Sequence, residues 1–200
     1  MKKTRYILII FIFLTTTVFG QVDKSKNYFP IWTFHQNNIN IHGISVGIAS
    51  LNDNHPHNTN TNGIKIELIG LGIILPLAPI SPIYENDSLF NKMLSKKRSE
   101  KINGIVLSAS GTVSDCLTNG ISLGFIAQLN SQINGFSSSM LINATQMHNG
   151  LQTCLMFNET YKMNGIQLCF VSNSSFISNG VQISAVNIST KMNGIQIGLY

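Results

Sequence analysis

The sequence predicts an all-β repeat array, most simply a β-solenoid or β-roll with one coil per about 15 residues. Three observations predict it. Asn-Gly pairs recur at nearly constant spacing, each pair is followed by apolar residues at every second position, and a second turn signal falls in every period. An antiparallel β-meander or barrel is the alternative, because Asn-Gly between alternating strands is also the usual type I′ hairpin turn.

Taken in chain order, residues 1–20 (MKKTRYILIIFIFLTTTVFG) read as a signal peptide. Lys2, Lys3 and Arg5 form a basic start, an apolar run follows from Tyr6 to Leu14, and Val18 and Gly20 are the small residues a peptidase needs before Gln21. Export is therefore expected, to the extracellular space, the cell surface, or a periplasmic or outer-membrane-associated location. Residues 21–38 form a polar lead-in. Residues 39–83 hold two diverged copies of the repeat, GISVGIAS from Gly43 and GIKIELIG from Gly63. The second runs into an apolar segment carrying Pro76, Pro79 and Pro82, read as a strand and then a proline-stiffened buried loop, too interrupted for a spanning helix. Residues 84–101 are a charged insertion, read as a solvated loop or short helix that could also project towards a partner.

Residues 102–200 are the regular array. Its Asn-Gly glycines are Gly104, Gly120, Gly135, Gly150, Gly165, Gly180 and Gly194, spaced 16, 15, 15, 15, 15 and 14 residues apart. Counting from each glycine, the first residue is always apolar (Ile105, Ile121, Phe136, Leu151, Ile166, Val181, Ile195). The fifth is apolar or Ala, and the third is apolar except at Ser138 and Thr153. Alternation of this kind marks a strand with one buried face, so Ile166, Leu168 and Phe170 are expected to face the interior. On the opposite face, Gln152, Gln167, Gln182 and Gln196 stand at the second position, where a ladder of amides could bond along the stack. The fourth position is always Gly, Ser or Cys, which suggests that a neighbouring turn or sheet approaches closely there.

A further turn signal comes at Asn143, Asn158, Asn173 and Asn187, whose short side chains satisfy turn backbone. With Asn86 they also begin N-x-S/T strings, which a eukaryotic secretory pathway could glycosylate. Two turns per period send all long strands in one direction, and glycine admits a positive φ cheaply at the Asn-Gly turn. The apolar residue before Gly lies two places ahead at Ile102, Ile133, Met163 and Met192, but three ahead at Leu117, Met147 and Ile177. That alternation leaves a unit of about 30 residues, and with it the meander, open. A lone coil buries too little to stand alone, so neighbouring coils must share their faces.

Strings such as NGIQIGLY, NGIQLCFVSN and NGISLGFIAQLN resemble the units of a family of uncharacterised exported bacterial surface-repeat proteins, N-G-hydrophobic-Q-hydrophobic-G-hydrophobic-x-N. The likeness runs from Ile39 to Tyr200, and the early GIKIELIGLGIILPLAP is similar to a diverged first portion of such proteins. It implies a cell-envelope or extracellular location and no established catalytic residue. Cys154 and Cys169 depart from the pattern at the small fourth position.

Charge narrows the function further. The formal +5 falls to +2 without Lys2, Lys3 and Arg5, and beyond residue 101 only Asp115, Glu159, Lys162 and Lys191 carry charge, which cancels. Nucleic acid is thereby excluded as a partner of the array. No catalytic triad, phosphate loop or carboxylate pair can be picked out, and no cofactor is implied. His35, His42 and His55-Pro56-His57 lack the spacing of a metal site, and the Thr residues do not align into the flat repeated surface that ice binding uses. Three cysteines make no disulfide framework. Cys154 and Cys169 nevertheless share one slot in consecutive repeats, where they either fill it as two small residues or pair as a strained disulfide. The expected function is a non-enzymatic structural or adhesive envelope protein. The alternative is a module binding a surface glycan or protein through the Gln and Asn ladders or the insertion, with an outer-membrane β-barrel weighed below both.

Overall fold

The computed structural model describes residues 25–50, 57–78, 81, 83 and 86–199. The leader, His55, Pro56, Pro79, Pro82 and Tyr200 lie outside the described residues.

The chain is a parallel β-solenoid. Its strands are β1 (Lys26–Tyr28), β2 (Ile31–Thr33), β3 (Ile39–Gly47), β4 (Thr59–Glu67), β5 (Glu100–Ser108), β6 (Val113–Gly124), β7 (Ala127–Ser139), β8 (Ile142–Cys154), β9 (Phe157–Cys169), β10 (Ser172–Ile183) and β11 (Val186–Ile197). From β3 onward each strand pairs with the next in parallel, and the glycines lie in register from Gly43 through Gly63, Gly104, Gly120, Gly135, Gly150, Gly165 and Gly180 to Gly194. All pairings among the described strands are parallel, which replaces the meander and barrel alternative. Within the segment set apart as a lead-in, β1 and β2 both pair with β3 and form one more rung.

Asn-Gly is a corner within a coil. Gly165 has φ +137°, and a Cβ there would lie 2.1 Å from the carbonyl oxygen of Gly150 in the coil before. Glycine is required twice over, for a backbone region that side chains rarely enter and for the close stacking of corners.

The two faces of the alternation are reversed from the sequence expectation. Gln152, Gln167 and Gln182 have no accessible surface, whereas Phe170 is 80% exposed, Ile166 is 42% exposed and Leu168 is half-buried. Period two separates two faces but does not say which lies inside, and here the face that bonds along and across the coil is the inner one. Thr160 Oγ1 donates to Gln152 Oε1 at 2.7 Å and accepts from Gln167 Nε2 at 3.1 Å, so side chains of facing walls touch directly. The small fourth position does meet close neighbours, the coil before it and the buried Asn of its own coil. At Gly198 a Cβ would come within 2.2 Å of the carbonyl oxygen of Ser184, the same position one coil earlier, and 2.7 Å from the Asn187 amide on the other arm of its own coil.

A polar interior is tolerable only if nearly every group is paired, and among the described residues the Thr145 and Ser178 hydroxyls and the Asn158 side-chain oxygen are exceptions. Gln167 donates to Gln152 at 2.9 Å, Gln182 to Gln167 at 2.6 Å and Gln196 to Gln182 at 2.7 Å, so the expected ladder forms, on the inside. Asn143, Asn158, Asn173 and Asn187 are also buried. Each donates to a carbonyl of the returning arm, as Asn158 does to Leu168 at 2.9 Å and Asn173 to Ile183 at 3.0 Å, and so closes its coil. Their glycosylation is excluded by that burial. A third ladder lies at the corner, where the amides of Asn119, Asn134, Asn149, Asn164 and Asn179 each donate to the Asn one coil earlier at 2.6 to 2.8 Å.

The 30-residue alternation survives as a detail of the stack. Two places before glycine the inward row reads Ile102, Thr118, Ile133, His148, Met163, Ser178, and these are buried. One place earlier the outward row reads Lys101, Leu117, Gln132, Met147, Lys162, Ile177, so most coils have one apolar and one polar residue in the pair.

Between β4 and β5 the chain leaves the stack. The proline-containing segment forms a 3₁₀ turn at Gly72–Leu77 beside the coil turns, with Ile73, Ile74 and Leu77 exposed rather than buried as expected. Helix α1 (Asp87–Ser95) follows, capped by the Asn86 side chain, which accepts from the Leu89 N–H at 2.9 Å. Phe90 and Met93, one turn apart, face the solenoid. Phe90 stacks on Tyr161 with ring centroids 4.2 Å apart, Tyr161 stacks on Phe176 at 5.0 Å, and Asp87 accepts from the Tyr161 hydroxyl. The insertion is therefore a short helix, as one of the two readings had it, but it docks on the array instead of projecting from it. Arg98, 3.3 Å from Asp115, fastens its far end.

Candidate functional site

Four places could carry chemistry or recognition. The first is a charge cluster inside the early coils. At the second position after Gly63, where later coils carry Gln, stands Lys65 with no accessible surface. Its ammonium lies 3.3 Å from Glu67, bonds Glu100 and Ser50, and sits 4.3 Å from the centre of the Phe34 ring. Glu67 also accepts from Ser50 at 2.5 Å and from Thr112 at 2.9 Å. Burial by itself would push the ammonium down, but Glu100 and Glu67 outweigh it and hold the Lys65 pKa above its ordinary value. Burial likewise opposes ionisation of Glu67, and Lys65 with the hydroxyl donors outweighs it, lowering that pKa. The cluster is closed off from solvent, so its chemistry is that of a paired structural core. Sequence reading passed over it; Lys65 and Glu67 at the inward parity of a strand were the available signal.

The second place is the pair Cys154 and Cys169. They are in register on β8 and β9, as the shared slot implied, and their sulfurs are 3.2 Å apart as two free thiols. Cys116 is remote in kind, wholly buried against Asn130, whose side-chain oxygen accepts from it at 3.0 Å.

Third, the reversal of faces leaves a broad apolar surface on the outside. Rows at the first, third and fifth positions after glycine run along the solenoid, with Leu107, Leu123, Phe125, Ile166, Phe170, Ile183 and Ile197 among their exposed members. No Asp, Glu, Lys or Arg stands in these rows from Ile44 to Leu199. An open groove of about 610 Å³ crosses four coils of this face, lined by Ile66, Leu68, Leu107, Leu123, Phe125 and Met140. Contiguous apolar surface on this scale marks an interaction site.

The fourth place is a groove of about 580 Å³ between α1 and the opposite wall, where Lys92, Lys96, Asn130 and Ser131 add polar groups to Leu89 and Leu129. Of the histidines expected to hold no metal, His35 accepts from the Ile48 N–H at 3.3 Å and His42 lies 3.5 Å from the Asn62 amide. Among the described residues no cluster of three or more His, Cys, Asp or Glu has the arrangement of a metal site. No helix among them is long and apolar enough to cross a membrane.

His148 is a separate titrating group inside the stack. Burial pushes it down to about 4 from an ordinary 6.5. The folded protein thus holds the ring neutral while the unfolded chain protonates it near pH 6.5. Stability present above that pH is expected to drain away between about pH 6.5 and 4, by on the order of 3 kcal/mol. Urea melts of wild type and His148→Gln across this window check it: the variant should lose the slope. Glu67 acts lower, since its depressed pKa places its own loss below the usual 4.5.

No family model, no curated protein and no solved structure matches this chain.

Proposed function

We propose that this chain is a non-enzymatic structural or adhesive repeat module of the cell envelope or cell surface, and that its working surface is the apolar outer face. The observation that carries the reading is the uncharged set of apolar rows left outside by a solenoid whose interior is polar. A leader-like start and the resemblance to exported surface-repeat proteins support an envelope location.

The occupant of the face is a second copy of the chain. Nine glycine-led strands at about 4.8 Å and a width of about five residues give a face of about 600 Å². Two such faces meet the lower bound of about 1,200 Å² for a specific interface. Identical rows at a constant spacing also allow ridges of one copy to enter the grooves of another. A lipid surface fits less well, because the basic residues that hold proteins to anionic headgroups are missing from these rows.

Sedimentation of the purified chain across the micromolar range should show a dimer. Leu123→Lys with Ile166→Lys should weaken it by at least about 100-fold, because association would bury unpaired charge, while far-UV circular dichroism stays unchanged. Leu89→Lys on α1 should have no effect. A wild type monomeric throughout, or a double variant still dimeric, overturns self-association. A monomer that sediments with neutral phosphatidylcholine vesicles through the same residues assigns the face to lipid instead.

A second reading, a glycan- or protein-binding module, is favoured by the groove beside α1, which mixes lysines with neutral hydrogen-bonding groups. Screening immobilised glycans with wild type and Lys96→Ala tests it, and binding indifferent to the substitution removes this groove from consideration.

A further inference from the structure

We infer that Cys154 and Cys169 form a redox-active dithiol that oxidises to a disulfide stapling two adjacent coils, with Cys169 as the attacking thiol and Cys154 as the resolving one. The geometry carries the inference. The two residues are direct partners across β8 and β9, and parallel neighbours about 4.8 Å apart fall within the 4.4 to 6.8 Å that a disulfide spans between Cα atoms. Their sulfurs already touch at 3.2 Å. Closing to a bond of about 2.05 Å needs only small side-chain rotations, with no change of register.

The two thiols are not equivalent. Cys169 is partly exposed at the end of its strand, whereas Cys154 is buried. In the thiol form Cys169 donates to the Met156 carbonyl oxygen at 2.9 Å; once it has lost that proton, Cys154 is placed to donate its S–H to the Cys169 sulfur, and backbone groups of Ser172 and Val171 add to that support. Together they outweigh the cost of burial and lower Cys169 to about 6. Cys154 is raised by the same contact and by its burial. An accessible thiolate beside a protonated, shielded partner is the arrangement for ordered thiol–disulfide exchange.

The oxidant is a low-molecular-weight disulfide. Cys169 thiolate attacks one of its sulfurs, forming a mixed disulfide and expelling one thiolate. Cys154 then gives up its proton to solvent and attacks the Cys169 sulfur, expelling the second thiolate. Two protein thiols are oxidised and one external disulfide is reduced to two thiols, so atoms and electrons balance. Cys116 provides an internal reference, since burial above all pushes its thiol up to about 11.

The experiment treats the full native chain with glutathione disulfide and follows it by non-reducing peptide mapping. Wild type should yield a crosslink between Cys154 and Cys169 peptides while Cys116 stays reduced. Cys154→Ser should stop at a mixed disulfide on Cys169. Cys169→Ser should react at least about tenfold more slowly, since its remaining thiols are shielded or raised. Mixed disulfides on wild type without a crosslink, equal rates for the two serine variants, or labelling of Cys116 as fast as Cys169 would each overturn the proposal. Unchanged circular dichroism of both variants separates these outcomes from misfolding.

Discussion

Replacing Lys65 by methionine is expected to lower the unfolding free energy by about 4 kcal/mol, in the range measured when one partner of a buried ion pair is removed. Methionine matches the aliphatic stem and fits the slot, so the loss comes from what it leaves behind. Glu67 and Glu100, both nearly inaccessible, would face each other without a cation, retaining only hydroxyl donors such as Ser50 and Thr112. Neutralising the whole cluster separates this account from simple loss of packing: Lys65→Met with Glu67→Gln and Glu100→Gln should recover most of the deficit. A triple variant as unstable as the single one, in urea melts at neutral pH, would contradict the electrostatic explanation. Alkaline pH gives an independent check. A raised lysine contributes stability fully present below about pH 10.5 and lost as pH climbs through the higher folded value.

The other large effect is expected at the corner glycines. Gly165→Ala should cost about 4 kcal/mol, combining about 2 for a side chain held at positive φ with about 2 for crowding against the preceding corner. Neither part can relax easily. The Cβ would meet the Gly150 carbonyl oxygen at 2.1 Å, and that carbonyl belongs to a coil fixed on its other side by Gly135. The end of the described array offers the comparison. Gly194 has an equally forbidding contact with Gly180 but no described coil beyond it, so Gly194→Ala should fray a terminal rung at lower cost. Hydrogen exchange resolves the two: Gly165→Ala should deprotect β8 to β10, and Gly194→Ala only β11.

Much of the fold was legible because repetition compounds a weak local signal. One Asn-Gly pair is a turn of unspecified kind, whereas seven at a spacing near 15 mark a repeat array, with a stack of equivalent coils as its simplest form and a meander or barrel as the alternative. The register of Gly104 to Gly194, the neighbouring of Cys154 with Cys169 and the amide ladders all follow once equivalent positions must stack. The diverged starts at Gly43 and Gly63 were found by the same logic, although the lead-in that forms β1 and β2 carries no Gly and escaped it. A short helix was one of two readings of the insertion, and the place where α1 docks was not legible, because Asp87 and Tyr161 are 74 residues apart and nothing local couples them.

By itself, then, the sequence determined period, strand parity and corner positions, since these depend on residue types repeated along the chain. Which parity faces inward was decided only in three dimensions. Apolar alternation was read as an inward face, as it is in sheets with room for a layer of aliphatic side chains between them. In this coil interlocked amides and hydroxyls, with Ile102, Ile133 and Met163 buried among them, fill the interior, and the apolar rows after glycine lie outside. The small fourth residues already recorded a close approach, but only the structure shows that it comes from the coil before and from the buried Asn of the same coil.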